Sequence, residues 1–274
     1  MKIGAHVSIA GGIDNAPGRA AELGCEVFQI FSRSPQGGPA PKLTSELVDN
    51  FLAECEKYKM EEWVVHTPYY INLANAKELT RKNSVRIIRE ELEQASVIGA
   101  AYVMTHIGSS RDAGPKESLK LCVEGIKKIM DGYDGSAKFL IEIAAGSGHV
   151  IGGTFEEIAE IIEKSSTDVN VCFDTQHAFG AGYDLSTKAG VKKTLDHFDA
   201  TVGLDKLKIS HCNDSKVELG SQKDRHEHIG EGFIGVKGFE AWFADKRTKD
   251  INLYLETKHD AVEKDLKYLK KLRG

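Results

Sequence analysis

The sequence predicts an α/β fold with a single domain, a (β/α)8 TIM barrel over residues 1–274, and three observations lead to it. Eight short apolar segments, rich in β-branched and aromatic residues, alternate with longer amphipathic segments. No repeat, low-complexity tract or linker marks a domain boundary. The chain has 274 residues, and a barrel of eight strands, each followed by a helix, typically needs about 250 residues.

The eight apolar segments are predicted to be parallel strands covered on both faces, because most are nearly continuous in apolar character. They cover residues 2–7, 27–32, 62–67, 101–107, 138–143, 169–174, 206–211 and 251–256. Between them, segments such as 117–130 place apolar residues on one stripe with a helical period of about 3.6 residues. A doubly wound open sheet is the alternative fold. It more often has fewer strands and a glycine-rich phosphate-binding turn, which this sequence lacks.

Composition and charge are those of an ordinary soluble protein, with no apolar run near the roughly 20 residues that a membrane span needs. The N-terminus lacks a signal-peptide core, so we expect a cytoplasmic protein, and without a conspicuous apolar surface stripe we expect a monomer. The five cysteines lack paired spacing and are expected to be reduced. The net charge of −5 argues only weakly against a nucleic-acid partner, because bound cations would offset the acids.

Histidines and carboxylates recur at the ends of the predicted strands, which is where barrel enzymes place their active sites. Crowded there, these groups would repel one another and lose hydration unless cations neutralised them. Nitrogen and oxygen donors suit Zn²⁺, Mn²⁺ or Fe²⁺. Nine candidate ligands follow: His66, His106, Glu142, Asp174, His177, His211, Asp224, His226 and Glu256.

Nine ligands are too many for one tetrahedral ion, and with one bridging carboxylate they fill three sites. A multimetal site is typical of phosphoester hydrolysis, in which ions activate water and stabilise the leaving oxygen. Cys172 and Cys212 lie beside these positions. Thiolate ligation by them stays open, although packing in the barrel wall is the preferred interpretation.

Four stretches of sequence are long and specific. They are GAHVSIAGG (4–12), HTPYYINLA (66–74), FDTQHAFGAGYD (173–184) and HCNDSKVELGSQKDRHEHIGEGFIG (211–235). Through them the chain closely resembles, from end to end, the endonuclease IV family of zinc-dependent apurinic/apyrimidinic endonucleases of base-excision repair. Their fold is a TIM barrel of the xylose-isomerase-like superfamily.

The resemblance implies an enzyme that hydrolyses the phosphodiester 5′ to an abasic site in duplex DNA, giving a 3′-hydroxyl and a 5′-deoxyribose phosphate. It implies three zinc ions per chain, with Mn²⁺ or Fe²⁺ possible at some positions. Duplex DNA carrying abasic lesions is the expected partner.

The resemblance also implies a role for each site residue. The first zinc ion takes His66, His106 and Glu142. The second takes Glu142, Asp174, His211 and Glu256. The third takes His177, Asp224 and His226. Glu142 and Glu256 are the expected catalytic residues, and the expected DNA contacts are His6, Tyr69 and Arg33.

Three departures from the family pattern stand out. Ile143 and Ala144 follow Glu142 where family members usually carry an asparagine and a threonine. The loop after the second strand has Gln36 and Gly38 where an arginine and a tryptophan are usual, with Arg33 as a substitute. The stretch ETKHD (256–260) lacks the usual proline after its threonine.

Two other functions stay open from the sequence. A sugar isomerase or epimerase on the same barrel also places histidines and acids at strand ends, but it needs only one or two ions. An abasic-DNA-binding protein with weak turnover is suggested by Ile143, Ala144 and the altered loop after the second strand.

Overall fold

The computed structural model describes residues 1–111 and 113–274. Within them, eight parallel strands form a closed barrel, and two short strands form a separate antiparallel pair. The barrel strands are β1 Ile3–His6, β2 Val27–Phe31, β3 Glu62–His66, β4 Tyr102–Thr105, β5 Lys138–Glu142, β6 Val169–Asp174, β7 Leu207–His211 and β10 Asn252–Leu255. The separate pair is β8 Asp214–Ser215 and β9 His226–Glu227. The order around the barrel is β1-β10-β7-β6-β5-β4-β3-β2, so the predicted fold is confirmed.

Nine α-helices surround the barrel within the described residues. They are α1 Ala16–Glu22, α2 Ser45–Lys57, α3 Glu78–Val97, α4 Pro115–Met130, α5 Phe155–Ser165, α6 Thr175–Ala181, α7 Lys188–Thr201, α8 Gly235–Ala244 and α9 Val262–Arg273. None of these described helices has the length and apolar character to cross a membrane.

The inside of the barrel is closed by a layer of apolar side chains. This floor consists of Val27, Val64, Met104, Leu140, Cys172, Ile209 and Tyr254. Side chains on a strand alternate between faces, so the residue two positions after each floor residue also points into the barrel. On every one of these strands that later residue is polar. The floor therefore fixes which side chains meet at the barrel mouth.

All five cysteines are buried and free of disulfide bonds in the described part of the chain, as their spacing predicts. Cys172 belongs to the floor, and burial raises the pKa of its thiol to about 11. Cys212 packs in the larger core between the barrel and the helices, where burial raises its pKa well above the ordinary value. Both environments favour the neutral thiol over a ligating thiolate.

Arg33 lies beneath the surface rather than on it. Its side chain is 2% exposed, its Nε donates to the buried Glu91 on α3, and its Nη2 lies 3.2 Å from Glu90 Oε2. Ser32 donates to the same Glu91 carboxylate. The guanidinium is thus committed to α3, and the expected DNA contact by Arg33 finds no support in this geometry.

We expect Glu91→Ala to lower the free energy of unfolding by about 3–5 kcal/mol, because it leaves the buried Arg33 guanidinium with only its contact to Glu90. The control is Glu93→Ala on the same helix, whose exposed pair with Arg89 should cost less than about 1 kcal/mol. Urea denaturation measures both. Equal losses in the two variants would show that the buried pair contributes no more to stability than the exposed one.

Candidate metal centre

Eight inward-pointing residues form a ring one layer above the floor. Six of the nine candidate ligands belong to this ring, and the other three, His177, Asp224 and His226, come from α6 and from the loop that ends in β9. The full ring is His6, Gln29, His66, His106, Glu142, Asp174, His211 and Glu256. The structure therefore brings all nine candidate ligands to one end of the barrel.

The first cluster joins β3, β4 and β5. His66 Nε2 and His106 Nε2 each lie 3.5 Å from Glu142 Oε2. His66 Nδ1 is 2.6 Å from the carbonyl oxygen of Thr67, to which it donates its proton, so its Nε2 lone pair faces the cluster. Glu142 Oε2 is buried and accepts no hydrogen bond from the described residues. A buried carboxylate oxygen flanked by two imidazole nitrogens fits a cation.

The second cluster lies across the barrel axis, with its candidate ligand atoms within 4.8 Å of one another. His211 Nδ1 is 2.8 Å from Glu142 Oε1, 3.4 Å from Glu256 Oε2 and 3.8 Å from Asp174 Oδ2. Asn213 holds two of these groups in place. Its Nδ2 donates to Asp174 Oδ2 at 2.8 Å, and its Oδ1 accepts from the Glu256 N–H at 2.8 Å.

The third cluster lies where β6 turns into α6. Asp174 caps α6 by accepting from the His177 N–H at 2.7 Å, which fixes the spacing between the two residues. His177 Nε2 is 3.3 Å from Asp224 Oδ2, and His226 Nε2 is 3.4 Å from Asp224 Oδ1. His226 Nε2 is buried without a hydrogen-bond partner among the described residues. It also lies 3.8 Å from Asp174 Oδ2, so the second and third clusters adjoin.

The electrostatics of the three clusters favour bound positive charge. Burial raises the pKa of Glu142, but His106, His211 and His177 outweigh it and hold that pKa well below its usual range. Burial likewise raises the pKa of Glu256, yet His211 brings it down to about 2. These carboxylates stay ionised beside His177 and His211, whose pKa values lie well above the ordinary value despite burial, whereas burial lowers the pKa of His106. Divalent cations can balance the carboxylates instead when the imidazoles act as neutral ligands.

The residues present fit divalent cations. Five imidazoles and four carboxylates converge, and two of their buried atoms, Glu142 Oε2 and His226 Nε2, lack a partner among the described residues. This donor set suits zinc, manganese or iron. Cys172 Sγ reaches Glu142 and His211 from below, but its raised pKa favours a packed thiol.

The two remaining expected DNA contacts lie at the edge of the mouth. Tyr69 is 67% exposed, and its ring meets Phe31 edge-on with centroids 5.1 Å apart. Phe31 also contacts the half-buried His6, at 4.4 Å between ring centroids. Burial lowers the pKa of His6 to about 3, so its imidazole is neutral. Both side chains border the mouth, whereas Arg33 does not.

The replacement of a polar residue by Ile143 leaves one support of the site intact. His177 Nδ1 lies 3.0 Å from the carbonyl oxygen of Ile143, a backbone group that any residue provides. Ala144 lines an adjoining cavity of about 400 Å³ together with Tyr69, His106 and Asp224. Position 144 therefore forms part of the cavity wall, and the contact that orients His177 does not depend on the side chain at position 143.

Sequence reasoning missed Asp214, which shapes the loop around the site. Its buried carboxylate accepts from the backbone N–H groups of Gly230, Gly232 and Ile234 at 2.9, 3.1 and 2.9 Å. A Cβ on Gly232 would meet Asp214 Oδ1 at 2.5 Å and Ser215 O at 2.3 Å. This packing fixes the segment that follows β9, the strand that carries His226.

The match to known proteins covers essentially the whole chain. The family model described as "Xylose isomerase-like TIM barrel" matches residues 17–272. A curated protein of Natranaerobius thermophilus, "Probable endonuclease 4", is 39% identical over 100% of this chain and 98% of its own length. The chain belongs to the endonuclease IV family.

Solved structures agree with this family membership. The crystal structure of endonuclease IV from Thermus thermophilus has a TM-score of 0.89 and 34% identity, covering 99% of this chain and 98% of its own. A D-tagatose 3-epimerase-like protein has a TM-score of 0.76, with 99% and 97% coverage. It is only 21% identical and therefore shows the shared fold alone. The predicted family is confirmed, and with it the prediction of a hydrolytic enzyme.

We expect Zn²⁺ to stabilise chelator-treated protein by about 4 kcal/mol when present at roughly 1,000 times its dissociation constant, because it binds only the folded ligand set. In Glu142→Gln the shared carboxylate is gone, so zinc affinity should fall by more than the roughly 10–100-fold typical of losing a group that only orients a ligand. Thermal unfolding with and without zinc measures the effect.

The matched control is Glu231→Gln, since Glu231 is exposed, pairs with Lys264 and belongs to none of the three clusters. It should bind zinc like the wild type. Equal zinc stabilisation of Glu142→Gln and Glu231→Gln would contradict a metal centre built on Glu142.

Proposed function

We propose that this chain hydrolyses the phosphodiester on the 5′ side of an abasic site in duplex DNA, leaving a 3′-hydroxyl and a 5′-deoxyribose phosphate. The relatives that carry endonuclease names support the class of reaction. The ligand geometry supports the mechanism, because all nine residues that the family pattern requires face one barrel mouth.

One observation carries the proposal. Asp224 lies between His177 and His226, at 3.3 and 3.4 Å, and this cluster adjoins the clusters built on Glu142 and Asp174. A sugar isomerase or epimerase needs at most two ions and has no use for a third ligand cluster. A phosphodiesterase does, since charge develops on both the attacking and the leaving oxygen.

We propose three zinc ions, with manganese or iron possible at some positions. When bound, such ions supply a water nucleophile at neutral pH and stabilise charge on the departing oxygen. In this proposal Glu142 faces two of the clusters and Glu256 sits opposite it across His211. The negative charge of both carboxylates, held by low pKa values, stays available near neutral pH.

The proposed DNA contacts are Tyr69 and His6. An exposed aromatic ring beside the metal ligands can enter the DNA stack near a lesion and help to hold a bent duplex. The neutral His6 ring can hydrogen-bond to the sugar–phosphate backbone without repelling the nearby imidazoles. The DNA substrate carries its own charge, which the cations offset despite the net charge of −5.

We expect Asp224→Asn to lower the rate of abasic-site incision by at least about 100-fold, because it removes a ligand of the third cluster and with it the charge stabilisation that a bound ion would supply. The control Asp250→Asn changes an acid that is 83% exposed and lies just before β10, and its rate should stay at the wild-type value. A 5′-labelled duplex with one synthetic abasic site, analysed by denaturing gel, reports both rates.

The same variants separate the alternatives. An epimerase would retain activity on a ketose sugar in Asp224→Asn, and its wild type would leave the abasic duplex intact. A binding protein with weak turnover would retain the duplex on a native gel without cutting it. Either result with fully zinc-loaded wild-type protein overturns the proposed function.

A further inference from the structure

Gln29 is the one amide in a ring otherwise made of histidines and carboxylates. It lies on β2, its side chain is fully buried, and it stands two residues after the floor residue Val27. Its amide reaches side chains of β1, β7 and the end of β10. A buried amide needs hydrogen-bond partners for both its oxygen and its nitrogen, and those partners show which groups it orients.

The amide oxygen fixes the orientation of one candidate ligand. His211 Nε2 lies 2.7 Å from Gln29 Oε1, and because that oxygen only accepts, His211 must carry its proton on Nε2. The opposite nitrogen, Nδ1, donates to Glu142 Oε1 at 2.8 Å and is the one that would give up its proton to bind a cation beside Glu142, Asp174 and Glu256.

The amide nitrogen fixes a second ligand of the same cluster. Gln29 Nε2 donates to Glu256 Oε1 at 2.6 Å and lies 3.0 Å from His6 Nδ1. These contacts also settle the orientation of the amide. Turned over, it would place its NH2 group against the His211 N–H and its oxygen against a carboxylate oxygen, and both contacts would be repulsive.

His66 and His177 are held differently. Each donates its outer N–H to a backbone carbonyl, of Thr67 and of Ile143, so their orientation does not depend on which residue supplies the acceptor. His211 depends on a side chain. A substitution at position 29 therefore removes support from His211 and Glu256 and leaves the first and third clusters supported.

We propose that Gln29 is a positioning residue for the Glu142–Asp174–His211–Glu256 cluster, in which a single amide sets the protonated nitrogen of His211 and the direction of the Glu256 carboxylate. The inference rests on the metal binding within the proposed function and not on the DNA substrate.

The main test uses Gln29→Met, which has a similar length but no amide, with Gln94→Met on α3 as the matched control. We expect one zinc equivalent of Gln29→Met to bind about 10–100-fold more weakly, with the other equivalents unchanged. Competition with a chromophoric chelator measures each equivalent. Gln94→Met should bind all equivalents like the wild type.

A second readout reports on the hydrogen bond itself. In zinc-loaded, ¹⁵N-labelled protein, the Nε2–H proton of His211 should exchange slowly with water, because it is buried against Gln29. Its signal is assigned by its loss in His211→Gln. We expect the signal to broaden or vanish in Gln29→Met and to persist in Gln29→Glu, which keeps the acceptor oxygen.

Gln29→Glu also removes the donor to Glu256 and adds a like charge, so it should weaken one zinc equivalent while it keeps the His211 proton signal. It replaces Gln29→Met as the test variant if Gln29→Met does not fold. Wild-type zinc affinity in whichever of the two variants folds would overturn the proposal, as would an unchanged His211 signal in folded Gln29→Met. Failure of the wild type to cut abasic DNA would refute the proposed function, and these measurements would still decide the role of Gln29.

Discussion

Glu142 is a fully buried carboxylate within 3.5 Å of nitrogens from four imidazoles, and the rest of the barrel mouth depends on that concentration of charge. Alone in a low-dielectric interior such a carboxylate would become protonated. Here imidazoles from four different elements surround it and hold its pKa low, and three of them, His66, His177 and His211, are oriented by outer contacts of their own. The carbonyl groups, amides and helix cap that orient these side chains are therefore required by one buried charge.

The fold was largely predictable because side chains alternate on a strand. On β5, for example, Leu140 belongs to the apolar floor and Glu142 to the polar ring, and the same two-residue step recurs on the other ring strands. The nine candidate ligands could be found in the sequence because histidines and acids at strand ends are conspicuous. Gln29 stands at the equivalent step on β2, and counting two residues from Val27 would have found it. An amide is not among the usual ligands of zinc, however, so a search for histidines and acids does not include it.

Other features depend on contacts between distant parts of the chain, which strand and helix patterns do not reveal. Arg33 was expected at the DNA surface, yet it is buried because Glu91, far along the sequence on α3, faces it. Asp214 looks like a loop acid in HCNDS (211–215), and only the folded chain shows that backbone N–H groups from 230–235 converge on it. The short pair β8 and β9 was not predicted either, since two-residue strands carry no periodic signal.

The packing around Asp214 limits how segment 230–235 can be changed by design. Backbone amides that converge on a buried carboxylate set the length of segment 230–235 as well as its shape, because one inserted residue would displace several donors together. Gly232 likewise admits no side chain there. Variation in loop length at the mouth is therefore better tolerated in the loop after β2, where Gly37 and Gly38 have open space around them. That loop carries none of the nine candidate ligands, so its length can vary without displacing one.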